Sequence, residues 1–163
     1  MVNLATQDDF SAAVGQVHRA SCDLVAAGAE TQSQLLQAVA TQLEASFDVI
    51  LEANTLDLEA SLDMAVPELL LDWLKLTPER LQTAAKILRR LAYLGDPRGL
   101  IQPALSRSNQ AVLGHGQIVP LGVVALVYEA FPELSVIMAG LCLRTGNGLV
   151  LKGSNEASQT NQA

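Results

Sequence analysis

The chain has 163 residues, of which 50% are hydrophobic and 4% aromatic, and its formal net charge is -7. This length is enough for one ordinary hydrophobic core and not obviously enough for two complete domains. The acidic balance argues against nucleic acid or an anionic membrane as the main partner, and the scarcity of aromatic residues argues against a base-stacking surface.

The N-terminal residues are acidic where a secretory signal is basic, and no apolar signal core follows them. We therefore expect a cytoplasmic protein. The longest apolar run, residues 118–128, is too short to span a bilayer, so no membrane partner is expected. Cys22 and Cys142 lack CxxC spacing and nearby histidines, so we expect no metal site and no disulfide, and interpret both as small core residues.

Residues 1–98 are predicted to form a helical segment, because apolar residues recur at helical spacing through residues 35–51 and 81–91. Gly28 and residues 63–67 are predicted breaks between helices. One helix is predicted over residues 78–94. Thr77 can cap its first turn, Pro78 is tolerated at the first helical position, and Glu79 complements the helix dipole.

Lys86, Arg89 and Arg90 fall on this last helix and are predicted to form a solvated face. His18 and His115 have no nearby carboxylate or cysteine in a recognisable catalytic pattern. We expect each to be a solvated or loop histidine.

Residues 99–163 are predicted to begin a parallel α/β sheet. Short strands are predicted at residues 111–113 and 117–119, followed by a strand over residues 122–128 that is covered on both faces, because it contains no strongly polar residue. A helix is predicted over residues 133–143, stopped by the glycines around Asn147, and then a strand over residues 149–151. A further helix is predicted from about Glu156. The strand–helix–strand order predicts a βαβ unit.

Polar residues stand where each of these last strands ends. Tyr128 and Glu129 follow the first strand, and Lys152 follows the core of the second. A parallel sheet binds its ligands at the carboxyl ends of its strands, so we expect a ligand site there.

Several segments, in the same order along nearly the whole chain, resemble the gamma-glutamyl phosphate reductase family, also called glutamate-5-semialdehyde dehydrogenases. They are Ile50-Leu-Glu-Ala-Asn-Thr-Leu-Asp-Leu58, Leu71-Asp-Trp-Leu-Lys-Leu-Thr-Pro-Glu-Arg80, Leu94-Gly-Asp-Pro97, Val119-Pro-Leu-Gly-Val-Val124, Val127-Tyr-Glu129, Ala139-Gly-Leu-Cys-Leu-Arg-Thr-Gly-Asn147 and Leu151-Lys-Gly-Ser-Asn-Glu-Ala157.

The resemblance implies an α/β, aldehyde dehydrogenase-like fold. The helical segment, residues 1–98, would precede the first strands and helices of a Rossmann-like, NADP-binding domain, residues 99–163, which is incomplete in this chain. It also implies NADPH-dependent reduction of L-glutamyl 5-phosphate to L-glutamate 5-semialdehyde in proline biosynthesis, by an enzyme that is a homo-oligomer when full length. In that chemistry a cysteine thiolate attacks the acyl phosphate and hydride then reduces the thioester.

The catalytic cysteine of the family is expected beyond residue 163, so we expect no catalytic residue here and interpret the chain as an N-terminal part. Cys142 is not expected to be that nucleophile, because burial among apolar residues raises a thiol pKa.

By resemblance, Val127, Tyr128 and Glu129 would lie along the dinucleotide, and Lys152 would reach the ribose or its 2′-phosphate, a role that suits a cation at a strand end. Alternatively, Lys152 only extends to water. Residues 153–154 either bind an anion or precede a helix capped by Ser154 or Asn155. Glu156 suits ribose hydroxyls but would repel a 2′-phosphate. The predicted cofactor-binding residues are Val127, Tyr128, Glu129, Lys152, Gly153, Ser154 and Glu156.

Two positions depart from the family pattern. Phe131 and Glu133 stand where the family has an arginine and an asparagine that suit an acyl oxyanion or an anionic substrate. Both are candidate substrate-binding residues. The alternative function is a non-catalytic paralogue that acts as a nucleotide-binding or subunit-association module.

Overall fold

The computed structural model describes residues 7–99, 101–103 and 115–163. The strand predicted at residues 111–113 lies outside these ranges. The helical part consists of α1 (Gln7–Ala45), α2 (Phe47–Asp63), α3 (Glu68–Leu74) and α4 (Pro78–Tyr93), followed by a 3-10 turn at Pro97–Gly99. The remaining elements are β1 (Ile101–Pro103), β2 (His115–Gln117), β3 (Val123–Val127), α5 (Leu134–Thr145) and β4 (Gly148–Lys152).

The predicted helix boundaries are largely confirmed. Gly28 interrupts α1 with φ 82°, and residues 64–67 separate α2 from α3. The N-terminus of α4 is capped as expected, because Thr77 Oγ1 accepts a hydrogen bond from the Arg80 backbone N–H at 3.3 Å. Gly146 ends α5 in the left-handed conformation, with φ 76°, which a glycine adopts without steric cost.

The hydrophobic core joins the helical part to the βαβ unit. Its buried residues come from α1 and α4 and from the loop before α4, and partly buried residues of α5 pack against them. A Cβ atom at Gly140 would overlap Leu88 Cδ2 and would lie 3.1 Å from Leu91 Cδ1, so α5 approaches α4 very closely. The core residues are Leu36, Ala40, Leu43, Leu76, Leu81, Ala84, Ala85, Leu88, Leu91 and Ala92.

The described strands form two separate pairs. β1 and β2 are antiparallel, whereas β3 and β4 are parallel, with Val123 opposite Gly148 and Val127 opposite Lys152. The predicted βαβ unit is therefore confirmed. The division of the chain at residue 98 stays a prediction.

Four expectations are wrong in detail. The strand predicted at 117–119 is formed by His115–Gln117 instead. β3 is not covered on both faces, since Ala125 and Val127, which share one face of the strand, are exposed. Cys22 is exposed on α1 rather than buried. Residues 156–162 form successive turns rather than a helix.

Candidate functional site

The carboxyl ends of β3 and β4 lie side by side and place the predicted polar residues together. Val127 pairs with Lys152, and one residue further on the Tyr128 backbone N–H donates to the Lys152 carbonyl oxygen at 3.0 Å. The side chains that leave the two strands here therefore border the same edge of the sheet.

A cleft of about 370 Å³ opens at this edge. Every residue predicted to bind the cofactor lines it. Residues of α3 and of the loop before it, which were not predicted from the sequence, add an apolar wall. The lining residues are Val66, Leu70, Leu74, Val127, Tyr128, Glu129, Lys152, Gly153, Ser154, Asn155 and Glu156.

The charges of the cleft are mixed. Among the described residues that line it, Lys152 alone carries a positive charge, whereas Glu129 and Glu156 carry negative charges. Lys152 is exposed, and its Nζ donates to the neighbouring Gly153 carbonyl oxygen at 2.6 Å. A cation at this place can bind a phosphate, and the carboxylates can accept hydrogen bonds from ribose hydroxyls.

Ser154 supplies a buried hydroxyl that has no hydrogen-bond partner in the described part of the chain. It does not cap a helix, since only turns follow it. Such a hydroxyl carries a desolvation cost that a bound ligand can relieve. The capping interpretation is therefore wrong for Ser154, and the anion-binding interpretation stays a prediction.

Tyr128 and Gly153 are held by a residue behind the cleft. The Tyr128 hydroxyl donates to Asn161 Oδ1 at 2.8 Å, and burial raises the pKa of this tyrosine. A Cβ atom at Gly153 would overlap the Asn161 side-chain amide and would lie 3.3 Å from Tyr128 Cζ. The close packing explains why a glycine stands at this position.

The candidate substrate residues Phe131 and Glu133 lie outside this cleft. Arg80 binds the Glu133 carboxylate with Nη2 at 2.6 Å from Oε1 and 2.8 Å from Oε2. The Phe131 ring stacks on Trp73, with centroids 5.5 Å apart, and the Arg80 guanidinium carbon lies 5.5 Å from the Phe131 centroid. Their role in substrate binding stays a prediction.

The aromatic–arginine cluster of Trp73, Arg80, Phe131 and Glu133 is thus a set of contacts between α3, α4 and the turn after β3. Sequence reasoning missed Trp73 and Arg80 as partners. The clue in the sequence was the acidic residue at position 133. A carboxylate that becomes partly buried in the fold requires a cation or several hydrogen-bond donors nearby.

The two cysteines differ in environment. Cys142 is buried in α5, and this burial raises the pKa of its thiol, as expected. A raised pKa lowers the fraction of nucleophilic thiolate at neutral pH. Cys142 therefore has the wrong environment for a nucleophile.

Within residues 7–99, 101–103 and 115–163, no cluster of three or more His, Cys, Asp or Glu side chains is placed to hold a metal ion. In the same part of the chain, no helix combines the length and apolarity needed to cross a membrane.

Known proteins resemble the chain closely in sequence. It is 47% identical over 162 residues to gamma-glutamyl phosphate reductase 2 of Synechocystis sp., a match that covers 97% of the chain and 38% of that protein. It is 39% identical over 145 residues to gamma-glutamyl phosphate reductase of Serratia proteamaculans, which covers 89% of the chain and 34% of that protein. No protein-family model matches the sequence.

Solved structures agree with this likeness. The crystal structure of gamma-glutamyl phosphate reductase from Thermotoga maritima matches 91% of the chain and 36% of its own length, with a TM-score of 0.80 and 28% identity. The enzyme of the same name from Saccharomyces cerevisiae matches 90% of the chain with a TM-score of 0.78, and its 24% identity supports the fold alone.

The chain spans little more than a third of the length of the relatives that it matches. Its sequence motifs and its fold, a helical segment followed by the first parallel strands, match the same proteins over nearly all of its own length. The chain therefore belongs to the gamma-glutamyl phosphate reductase family and corresponds to the N-terminal part of its members.

Proposed function

We propose that the protein reduces L-glutamyl 5-phosphate to L-glutamate 5-semialdehyde with NADPH, in proline biosynthesis, and that this chain is its N-terminal part. Beyond family membership, the proposal is supported by the cleft at the ends of β3 and β4, because every predicted cofactor-binding residue lines it. We also propose that this enzyme is cytoplasmic and forms a homo-oligomer.

The residues of the cleft fit the adenosine end of NADP. Lys152 supplies a cation for the 2′-phosphate, the buried Ser154 hydroxyl supplies an unused donor, and Glu156 supplies an acceptor for a ribose hydroxyl. The apolar side chains of the α3 wall suit the face of a base. When bound, the nicotinamide ring supplies the hydride.

In this proposal the chain binds and orients the nucleotide and does not supply the nucleophile. Cys142 is buried and its thiol pKa is raised, while Cys22 lies exposed on α1, distant in sequence from the cleft. We place the nucleophilic cysteine in the part of the full-length sequence that this chain does not cover.

The test is an assay of the full-length gene product in the reverse direction. Glutamate 5-semialdehyde, inorganic phosphate and NADP are supplied, and formation of NADPH is followed by its absorbance. We expect phosphate-dependent reduction of NADP. A folded gene product that gives no NADPH under these conditions would show that the proposed activity is wrong.

A second function, a non-catalytic paralogue that binds nucleotide, is supported by the aromatic–arginine cluster. Glu133 is neutralised by Arg80 and Phe131 is stacked on Trp73, so both side chains have structural partners. This function predicts that adenosine 2′,5′-bisphosphate binds to the full-length product while the reverse assay gives no turnover.

A further inference from the structure

A buried carboxylate holds the turn that lies behind the cleft. Asp57 of α2 is 6% exposed. Its Oδ1 accepts a hydrogen bond from the Gln159 backbone N–H at 3.1 Å, and its Oδ2 accepts from the Thr160 N–H and hydroxyl, both at 2.7 Å. Three hydrogen bonds to one buried side chain hold residues 159–160 against α2.

Asn54, one turn earlier on α2, extends the same network. Its amide group donates to Thr160 Oγ1 at 3.2 Å and to the Leu74 carbonyl oxygen at 3.0 Å, and its oxygen accepts from the Leu76 N–H at 2.8 Å. The polar groups of this buried network are therefore paired with one another, and α2, the end of α3 and the turn at Thr160 are tied together.

The residue after Thr160 connects this network to the cleft. Asn161 accepts the hydrogen bond from the Tyr128 hydroxyl, and its amide group lies so close to Gly153 that a Cβ atom there would displace it. Tyr128 and Gly153 both line the cleft, and they leave β3 and β4 at the same edge of the sheet.

We infer that Asn161, held by the hydrogen bonds of Asp57 with Thr160, is a positioning residue for the nucleotide cleft. It acts through Tyr128 and Gly153 and does not itself line the cleft. The inference rests on the proposed function, because it requires that a nucleotide binds between these strand ends. Loss of the Thr160 hydroxyl removes its hydrogen bonds with Asp57 and Asn54 and leaves only the two backbone N–H groups to hold the turn. The loosened turn must then be ordered when the nucleotide binds.

The test compares two substitutions in the full-length gene product. Thr160→Val keeps the side-chain shape but removes the hydroxyl that contacts Asp57 and Asn54, whereas Thr160→Ser retains it. Affinity for adenosine 2′,5′-bisphosphate is measured by isothermal titration calorimetry. We expect Kd to rise about tenfold in Thr160→Val, which is about 1.4 kcal/mol, and to stay within about twofold in Thr160→Ser.

A second comparison separates positioning from general loss of structure. Asn161→Ala and Tyr128→Phe are made singly and together, and their effects on Kd are expected to be clearly less than additive, because both remove the same hydrogen bond. In turnover assays Asn161→Ala is expected to raise KM for the nucleotide while leaving kcat at saturation nearly unchanged. If Thr160→Val does not fold, the Asn161 and Tyr128 variants still test whether Asn161 positions the cleft.

The outcomes distinguish the inference from the proposed function. Absence of wild-type binding to adenosine 2′,5′-bisphosphate would overturn both. Wild-type binding with an unchanged Kd in Asn161→Ala and Thr160→Val would overturn the inference and leave the proposed cofactor site intact. Additive effects of the paired substitutions would likewise show that Asn161 does not act through Tyr128.

Discussion

In the proposed function, the cofactor preference of the cleft depends on the side chain of Lys152. Its ammonium group stands at the end of β4 and donates only to the neighbouring Gly153 carbonyl oxygen among the hydrogen bonds of the described residues. A 2′-phosphate would offer it a stronger, charged acceptor. The cation therefore favours NADP over NAD in the proposed function.

We expect Lys152→Met in the full-length product to lower the ratio of kcat/KM for NADP to that for NAD by about tenfold, since one charged hydrogen bond is lost. Lys86→Met is the control, because Lys86 lies exposed on α4 and contacts only Gln82 in the described structure. An unchanged ratio in Lys152→Met would show that Lys152 only extends to water.

The ion pair of Arg80 with Glu133 is expected to contribute to stability. It is half-buried, with side-chain exposures of 25% and 16%, and it forms several hydrogen bonds. In the full-length product, we expect Glu133→Gln to lower the free energy of unfolding in urea by about 2 kcal/mol. The control is Glu44→Gln, which removes the more exposed Arg89 pair and should change it by no more than about 1 kcal/mol. Equal effects would contradict this prediction.

Asp96 is expected to make stability depend on pH. The Arg98 side-chain hydrogen bonds lower the pKa of Asp96, and the backbone N–H of Arg98 adds to this. Because the folded-state pKa is lower than the unfolded one, the contribution is present above about pH 4 and is lost as pH falls through the folded-state value. Urea unfolding of the full-length product should show that Asp96→Asn is less stable than wild type at pH 7, with a smaller difference at pH 2.

At the scale of elements, the contact between α4 and α5 depends on the absence of a side chain at Gly140. Alanine is the better helix former by about 1 kcal/mol, but its Cβ atom here would overlap Leu88. The clash decides the outcome because the site is buried among core residues. The two helices must separate or repack when any side chain is added.

We therefore expect Gly140→Ala to lower the free energy of unfolding of the full-length product by about 1–3 kcal/mol. Gly15→Ala is the matched control within α1, where the new Cβ atom would meet only the Arg19 guanidinium at 3.7 Å. That substitution should raise stability by about 0.5–1 kcal/mol. Stabilisation by both substitutions, measured by urea denaturation, would show that α5 does not require the close approach.

At the scale of the whole molecule, the described residues leave much apolar surface open. Leu121 is 88% exposed and Val119 66%, beside a parallel sheet of two described strands. Exposed apolar surface of this kind promotes association with other protein. We propose that further polypeptide of a full-length product covers this surface, since the chain spans only 38% of the relative from Synechocystis sp..

We expect the 163-residue chain, when purified by itself, to be poorly soluble or molten, with no cooperative transition in differential scanning calorimetry. The full-length product should unfold cooperatively under the same conditions. A sharp transition in the isolated chain would contradict this expectation and show that the described core is sufficient.

Features that depend on neighbouring residues could be predicted from the sequence. Thr77 and Pro78 start α4, Gly146 ends α5, and the apolar run before Tyr128 forms β3, because caps, backbone conformations and strand patterns are set within a few residues. The place of the cleft was also predictable, since the carboxyl ends of parallel strands must share one edge of the sheet.

Contacts between distant residues could not be predicted from the sequence and became visible in the folded chain. Glu133 pairs with Arg80 across 53 positions, and Thr160 binds Asp57 across 103. Cys22 is exposed although its residue type is usually buried. Hydrophobic periodicity shows which face of a helix is apolar but not which element covers it. Pairings and burial of this kind depend on how whole elements pack, and packing is a property of the assembled core.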